Sequence, residues 1–256
     1  MNTVMIEEMS WSKFREAMSS SDLVIIPVGS TESHGPHNPL GTDSYISRSL
    51  AKAIGERVNA PVAPVMPLGA TRNLMRFPGT ATVDTETLRQ VYVQICESFI
   101  RHGARRFLFV NGHGGNVAAL RFATTDLYEK YGVIATNTEW WTTLAQMSGL
   151  NVAEHGGKHE TSLVMAVDSR LVDMSKAKTL PRSAPTDGFT VDKGVKFRGG
   201  VVTLPIPVDK FTPLGSYGAA VEEASKEIGD RLFDQYVDFC VGLAEEMRKI
   251  IVQDRP

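Results

Sequence analysis

The sequence predicts an α/β fold, a three-layer sandwich whose mostly parallel central sheet is flanked by helices. Three observations carry this. Short runs at residues 23–28, 62–68, 107–110 and 133–136 are apolar on both faces and too short for core helices, as strands buried in a parallel sheet are. Amphipathic helical patterns at 44–58, 85–102 and 117–131 alternate with them. The 256 residues, 42% of them hydrophobic, suffice for one core over residues 1–256, and no linker, repeat or low-complexity tract divides them.

Taken in order, Ser10 is an N-cap for the helix WSKFREAM, which the polar stretch SSSD stops before the run Leu23-Val24-Ile25-Ile26-Pro27-Val28. Pro64 interrupts the second run, at 62–68. The pattern at 85–102 ends on His102-Gly103, where the histidine caps the negative end of the helix dipole. After the strand at 133–136 come Trp140 and Trp141, core residues of which one ring can line a pocket, and then the apolar helical run Leu163-Val164-Met165-Ala166-Val167. Residues 170–215, richer in Pro, Gly and isolated charges, read as an excursion over the sheet with a possible edge strand at 201–208. From Ser216 a helix to the end is expected, its apolar stripe running Ala219, Val221, Ile228, Leu232, Tyr236, Phe239 and Leu243.

Charge narrows the function classes. Twenty-seven basic and 29 acidic residues leave a net charge of -2 with no long run of one sign, which argues against nucleic acid or a membrane surface as partner and leaves a small molecule. The acidic N-terminus has no signal-peptide core, and no apolar run approaches the roughly 20 residues of a membrane helix, so a cytoplasmic protein is expected. Cys96 and Cys240 read as core thiols in a reducing compartment.

Chemistry concentrates where strands end. After the first strand comes Gly29-Ser30-Thr31-Glu32-Ser33-His34-Gly35-Pro36-His37, with Asp43 opening a helix just beyond. After the strand at 107–110 comes Asn111-Gly112-His113-Gly114-Gly115-Asn116, and a third cluster runs Glu154-His155-Gly156-Gly157-Lys158-His159-Glu160. Loops leaving the carboxyl ends of parallel strands build one crevice, so His113 is expected to face Glu32. Glu32, Asp43 and Glu160 with His34 and His113 are ligand candidates of oxygen and imidazole type, enough for two zinc or manganese ions sharing a carboxylate. His155 is left over, and His37 and His159 stand between a supporting and a surface role. On the same rim Arg72, Asn73 and Arg76 can meet a polar substrate, and Lys193, Lys196 and Arg198 can reach the site or a neighbouring subunit.

Together, Pro27-Val28-Gly29-Ser30-x-Glu32-x-His34-Gly35-Pro36-His37 with Thr42-Asp43, then Asn111-Gly112-His113-Gly114-Gly115-Asn116, then Glu154-His155 and Glu160-Thr161-Ser162, resemble the creatininase family over most of the first 170 residues. The resemblance implies a creatininase-like α/β fold, two divalent ions (Zn and/or Mn) per chain and a homohexamer. It implies that Glu32 and His113 hold one ion and His34 and Glu160 the other, that Asp43 bridges them, and that His155 carries the proton with Glu154 beside it. Gly115 stands where creatinine-hydrolysing members carry a carboxylate, and Ser33 where glutamine is common, which places the chain in a glycine-rich branch.

The reaction expected is that of a binuclear hydrolase acting on a C–N bond outside peptides. A metal-bridging hydroxide attacks a carbonyl or amidine carbon of a small, polar, cyclic, creatinine-like substrate. The alternatives are ring-opening C–C cleavage of an oxidised inositol or other cyclic diketone, formamide deformylation or peptide trimming, and a metal-binding assembly protein without activity.

Overall fold

The computed structural model describes residues 3–149, 154–191 and 195–252. Three parallel strands, β1 (Leu23–Val28), β2 (Arg106–Asn111) and β3 (Ile134–Glu139), lie side by side in that order. The pleat sends alternate side chains to opposite faces, and the core divides accordingly. Leu23, Ile25, Leu108 and Val110 pack with α2 (Thr42–Val58), α5 (Trp140–Ser148), α6 (Lys158–Asp168) and α7 (Lys226–Lys249). Val24, Ile26, Phe107 and Phe109 pack with α3 (Thr85–Ile100) and α4 (Val117–Tyr131) on the other face. These are the three layers expected, with a sheet buried on both sides.

Local chemistry sets the element boundaries. Ser10 caps α1 (Trp11–Ser20) by accepting from the Lys13 amide at 3.4 Å, and the helix continues through the serines read as its stop. α2 begins at Thr42, ahead of the expected 44, which places Asp43 in its first turn. α3 ends at Ile100; Gly103 takes φ +99° just beyond, and His102 rests edge-on against Phe14. β3 runs past 136 through Asn137, Thr138 and Glu139: the first and last are half-exposed beside a single ladder, and buried Thr138 shares a hydrogen bond of 2.6 Å with the Tyr236 hydroxyl.

Three expectations need correction. Residues 62–68 pair with β1 only through bridges at Val62 and Met66, because Pro61, Pro64 and Pro67 have no N–H to sustain a ladder. The strand expected at 201–208 is only β6 (Gly200–Val202), since Pro205 and Pro207 stop it; it completes a separate antiparallel sheet with β4 (Phe189–Val191) and β5 (Val195–Phe197). The last helix starts at Lys226 rather than Ser216. Gly215 and Gly218 take positive φ, and Ser225 then caps the helix at the Ile228 amide. Ala219 and Val221 therefore precede the helix. Its buried stripe is Gly229, Leu232, Tyr236, Val237, Cys240, Ala244 and Met247, with Phe239 36% exposed at its edge.

Candidate metal centre

The loop after β1, the first turn of α2, the loop after β2 and the first turn of α6 converge at the carboxyl end of the sheet. All five ligand candidates are buried there. His113 Nδ1 lies 3.0 Å from Glu32 Oε1 and 3.1 Å from Asp43 Oδ2. His34 Nε2 lies 2.9 Å from Asp43 Oδ1, 3.7 Å from Glu160 Oε1 and 3.8 Å from Glu32 Oε1. Two donor triads result, Glu32–Asp43–His113 and His34–Asp43–Glu160, with ligand atoms within 4.8 Å of one another and Asp43 common to both. A third group joins Glu32, His34 and His155.

Each donor has a support of its own. Ser30 Oγ donates to Asp43 Oδ2 at 2.7 Å, and His34 Nδ1 faces the Glu32 carbonyl at 3.2 Å. His113 Nε2 faces the Ala70 carbonyl at 3.1 Å, so that nitrogen carries the proton and Nδ1 is the donor toward the centre. Asn116 bonds Gly29 and Ala70, locking the loops together. Glycine is required at 115, because a Cβ there would overlap the Ala70 carbonyl oxygen. Glu154 accepts from the amides of His159 and Glu160 at 2.5 and 3.0 Å, holding the first turn of α6, and its other oxygen meets His159 Nδ1 at 3.2 Å.

The electrostatics are those of a site built for cations. Burial opposes protonation of His34, but the carboxylates of Asp43, Glu160 and Glu32 outweigh it and push its pKa up to about 10. Burial likewise opposes protonation of His113, and Glu32 and Asp43 raise it well above the ordinary range. Burial alone would raise Asp43, yet the two histidines hold it well below the carboxylate range. Burial pushes Glu160 up to about 8. Despite these contacts Glu32 Oε2 and His34 Nε2 are buried without a hydrogen bond. An unpartnered carboxylate oxygen, together with a histidine nitrogen that faces the Asp43 carboxylate, fits divalent cations of the zinc or manganese class.

The centre forms one wall of a cavity of about 410 Å³. His155 lines it. Its Nε2 lies 2.7 Å from the Ser33 carbonyl and its Nδ1 3.8 Å from Glu32 Oε1, while its ring stacks on His34 at 4.2 Å. Asn73, Trp140 and Trp141 also line it. Arg72 does not reach it, being paired with Asp84, and Arg76 pairs with Asp209 at 3.5 Å on the surface. Arg198 lies over Phe197, and neither it nor Lys196 lines the cavity; Lys193 lies outside the described residues. His37 is buried and His159 half-buried. Sequence reasoning missed Arg182 and Tyr217, which also line the cavity, the guanidinium 4.1 Å above the Tyr217 ring. Tyr217 exchanges two backbone hydrogen bonds with His155, a pairing that only the tertiary fold brings about.

Among the described residues, no helix is long and apolar enough to cross a membrane. A family model described as creatinine amidohydrolase, creatininase, matches residues 7–244. The mycofactocin precursor peptide peptidase of Mycolicibacterium smegmatis is 36% identical over 90% of this chain and 87% of its own. The creatinine amidohydrolase of Pseudomonas putida is 26% identical over 96% and 97%, and the 3-dehydro-scyllo-inosose hydrolase of Thermotoga maritima 29% identical over 64% and 52%. A crystal structure of creatinine amidohydrolase shares the fold at a TM-score of 0.78, with 22% identity over 98% of this chain and 100% of its own. Creatininase structures of zinc–zinc and manganese type match at 0.75 and 0.76, each with 24% identity over 95% and 98% of the two chains. Full-length similarity and the shared three-layer fold lead to one conclusion: this chain belongs to the creatininase family of hydrolases.

Proposed function

We propose that the chain, acting as one unit over residues 1–256, is a binuclear metal-dependent hydrolase that cleaves an amide C–N bond. Glu32, Asp43 and His113 would hold one divalent cation, zinc or manganese, and His34, Asp43 and Glu160 the other. The observation that carries this reading is the division of Asp43, whose Oδ1 faces His34 while its Oδ2 faces His113, so that one carboxylate serves both triads. Two cations held there supply the acidity that makes water a nucleophile near neutral pH, and positive charge against the substrate oxygen.

The protein's own residues do the rest. His155 Nε2 carries a proton because its partner, the Ser33 carbonyl, can only accept. Nδ1 is left facing the centre, where it accepts a proton and returns it to the leaving nitrogen. Glu154 supports this indirectly by fixing the α6 turn that carries Glu160. Trp140, Trp141 and Tyr217 wall the cavity in which the substrate would be held.

Amide cleavage is favoured because a peptidase at 36% identity and an amidohydrolase at 26% both align with nearly the whole chain. The cavity of about 410 Å³ has room for a peptide end as well as for a single ring. The test is a screen of zinc- and manganese-loaded protein against short peptides, creatinine, other cyclic amides, formamides and oxidised inositols, with product analysis. A new amine with a new carboxylate supports the reading. Turnover of the inositols alone, with C–C cleavage, overturns it.

A further inference from the structure

We propose that His37 is a positioning residue that sets the cation affinity of the His34–Asp43–Glu160 triad far more than that of the other triad; the proposal rests on the binuclear reading above. His37 closes the loop that carries Glu32 and His34, and it is only 2% exposed. Its Nε2 donates to the carbonyl of Gly156, 119 residues away, at 3.0 Å, with Thr161 Oγ1 at 3.2 Å. Asn38 Nδ2 reaches the same hydroxyl at 2.9 Å, and the His37 carbonyl accepts from the Asp173 amide at 2.9 Å. The imidazole therefore pins the first ligand loop to the start of α6.

Gly156 passes that constraint to a ligand. Its N–H donates to Glu160 Oε2 at 2.6 Å, which leaves Oε1 as the oxygen turned toward His34 Nε2. The residue has φ +61°, and a Cβ on it would stand 2.5 Å from the His34 carbonyl oxygen, so it is wedged against the loop that His37 holds. The chain of contacts runs His37 to Gly156 to Glu160. Without the His37 N–H the Gly156 carbonyl keeps only the longer bond from Thr161 Oγ1 at 3.5 Å, and the backbone that aims Glu160 is held less firmly. His113, by contrast, is oriented through Ala70 and Asn116, on the far side of the centre.

The test is a zinc titration of metal-free protein against a competing chromogenic chelator, in wild type and three variants. Wild type is expected to take two zinc ions per chain. His37→Ala is expected to keep one within a few-fold of wild-type affinity and to bind the other about 10- to 100-fold more weakly. His37→Gln, whose amide nitrogen falls where Nε2 stands, restores the second ion to within a few-fold; His37→Asn, which mimics Nδ1, does not. Equal weakening of both ions, unchanged binding, or a glutamine variant no better than asparagine overturns the proposal. The glutamine–asparagine comparison holds even if the alanine variant folds poorly. A wild type that takes fewer than two ions overturns the binuclear reading itself, whatever His37 does.

Discussion

Asp43 offers its two oxygens to two different histidines, so its removal cannot spare one cation. Asp43→Ala is expected to purify with neither ion at stoichiometric level, read by elemental analysis; retention of two per chain contradicts the bridge. His155 is the opposite case. It touches the centre through Nδ1 alone, with its other nitrogen spent on Ser33, so His155→Ala should keep both ions and lose about 10²- to 10⁴-fold in turnover. Loss of metal in that variant would make His155 a ligand. The five ligand candidates were legible in the sequence because each follows a strand end or opens a helix, and that grammar maps onto one rim. Arg72 shares the grammar but is held outside by Asp84. Arg182 enters from the Pro- and Gly-rich excursion, where no periodicity says which way a side chain points, and Tyr217 from the stretch read as the start of the last helix, which instead bridges to His155.

Packing between elements decides how rigidly the rim is presented. α6, which carries Glu160, crosses α7 at Gly229, where a Cβ would overlap the Ser162 carbonyl oxygen. Helix propensity favours alanine over glycine by about 1 kcal/mol, but overpacking against backbone costs about 1–3 kcal/mol or more. The steric cost wins, and Gly229→Ala should lower the melting temperature; a rise would show that the helices can slide apart without penalty. At the other end of α7, Arg106 donates to the Met247 and Ile250 carbonyls at 2.8 and 2.6 Å while pairing with Asp22. Arg106→Ala is expected to cost about 2–3 kcal/mol in denaturant unfolding. Elements with strong apolar runs or caps were readable to within a few residues. Those at 62–68 and 201–208 were not, because prolines permit an extended chain and deny it the ladder. The stripe on α7 was read in phase at Ile228, Leu232, Tyr236 and Leu243, but was begun too early, because the glycines at 215 and 218 delay the helix start.

If the site holds cations as proposed, the whole molecule couples its stability to them. Against the effect of burial, the surrounding carboxylates hold His34 near 10, and burial holds Glu160 near 8 in the metal-free protein, both above their ordinary values. A group with a raised folded-state pKa stabilises the fold below its unfolded value, and that contribution is lost as pH rises through the folded value. The metal-free protein should therefore melt at progressively lower temperature from pH 7 to pH 10. The loaded protein, whose ligands are already deprotonated, should change less and melt higher throughout. Titrating zinc into the chelated protein at pH 7 should release protons, visible as a dependence of the binding heat on buffer ionisation enthalpy. A metal-free protein whose melting temperature is flat across that range would contradict the electrostatic account.

The most direct measurement is anomalous scattering from a crystal of zinc-loaded protein, collected on both sides of the zinc edge. Two strong peaks per chain are predicted, one among Glu32, Asp43 and His113, the other among His34, Asp43 and Glu160, with the Asp43 carboxylate between them. One peak at full loading, or peaks away from these residues, would contradict it.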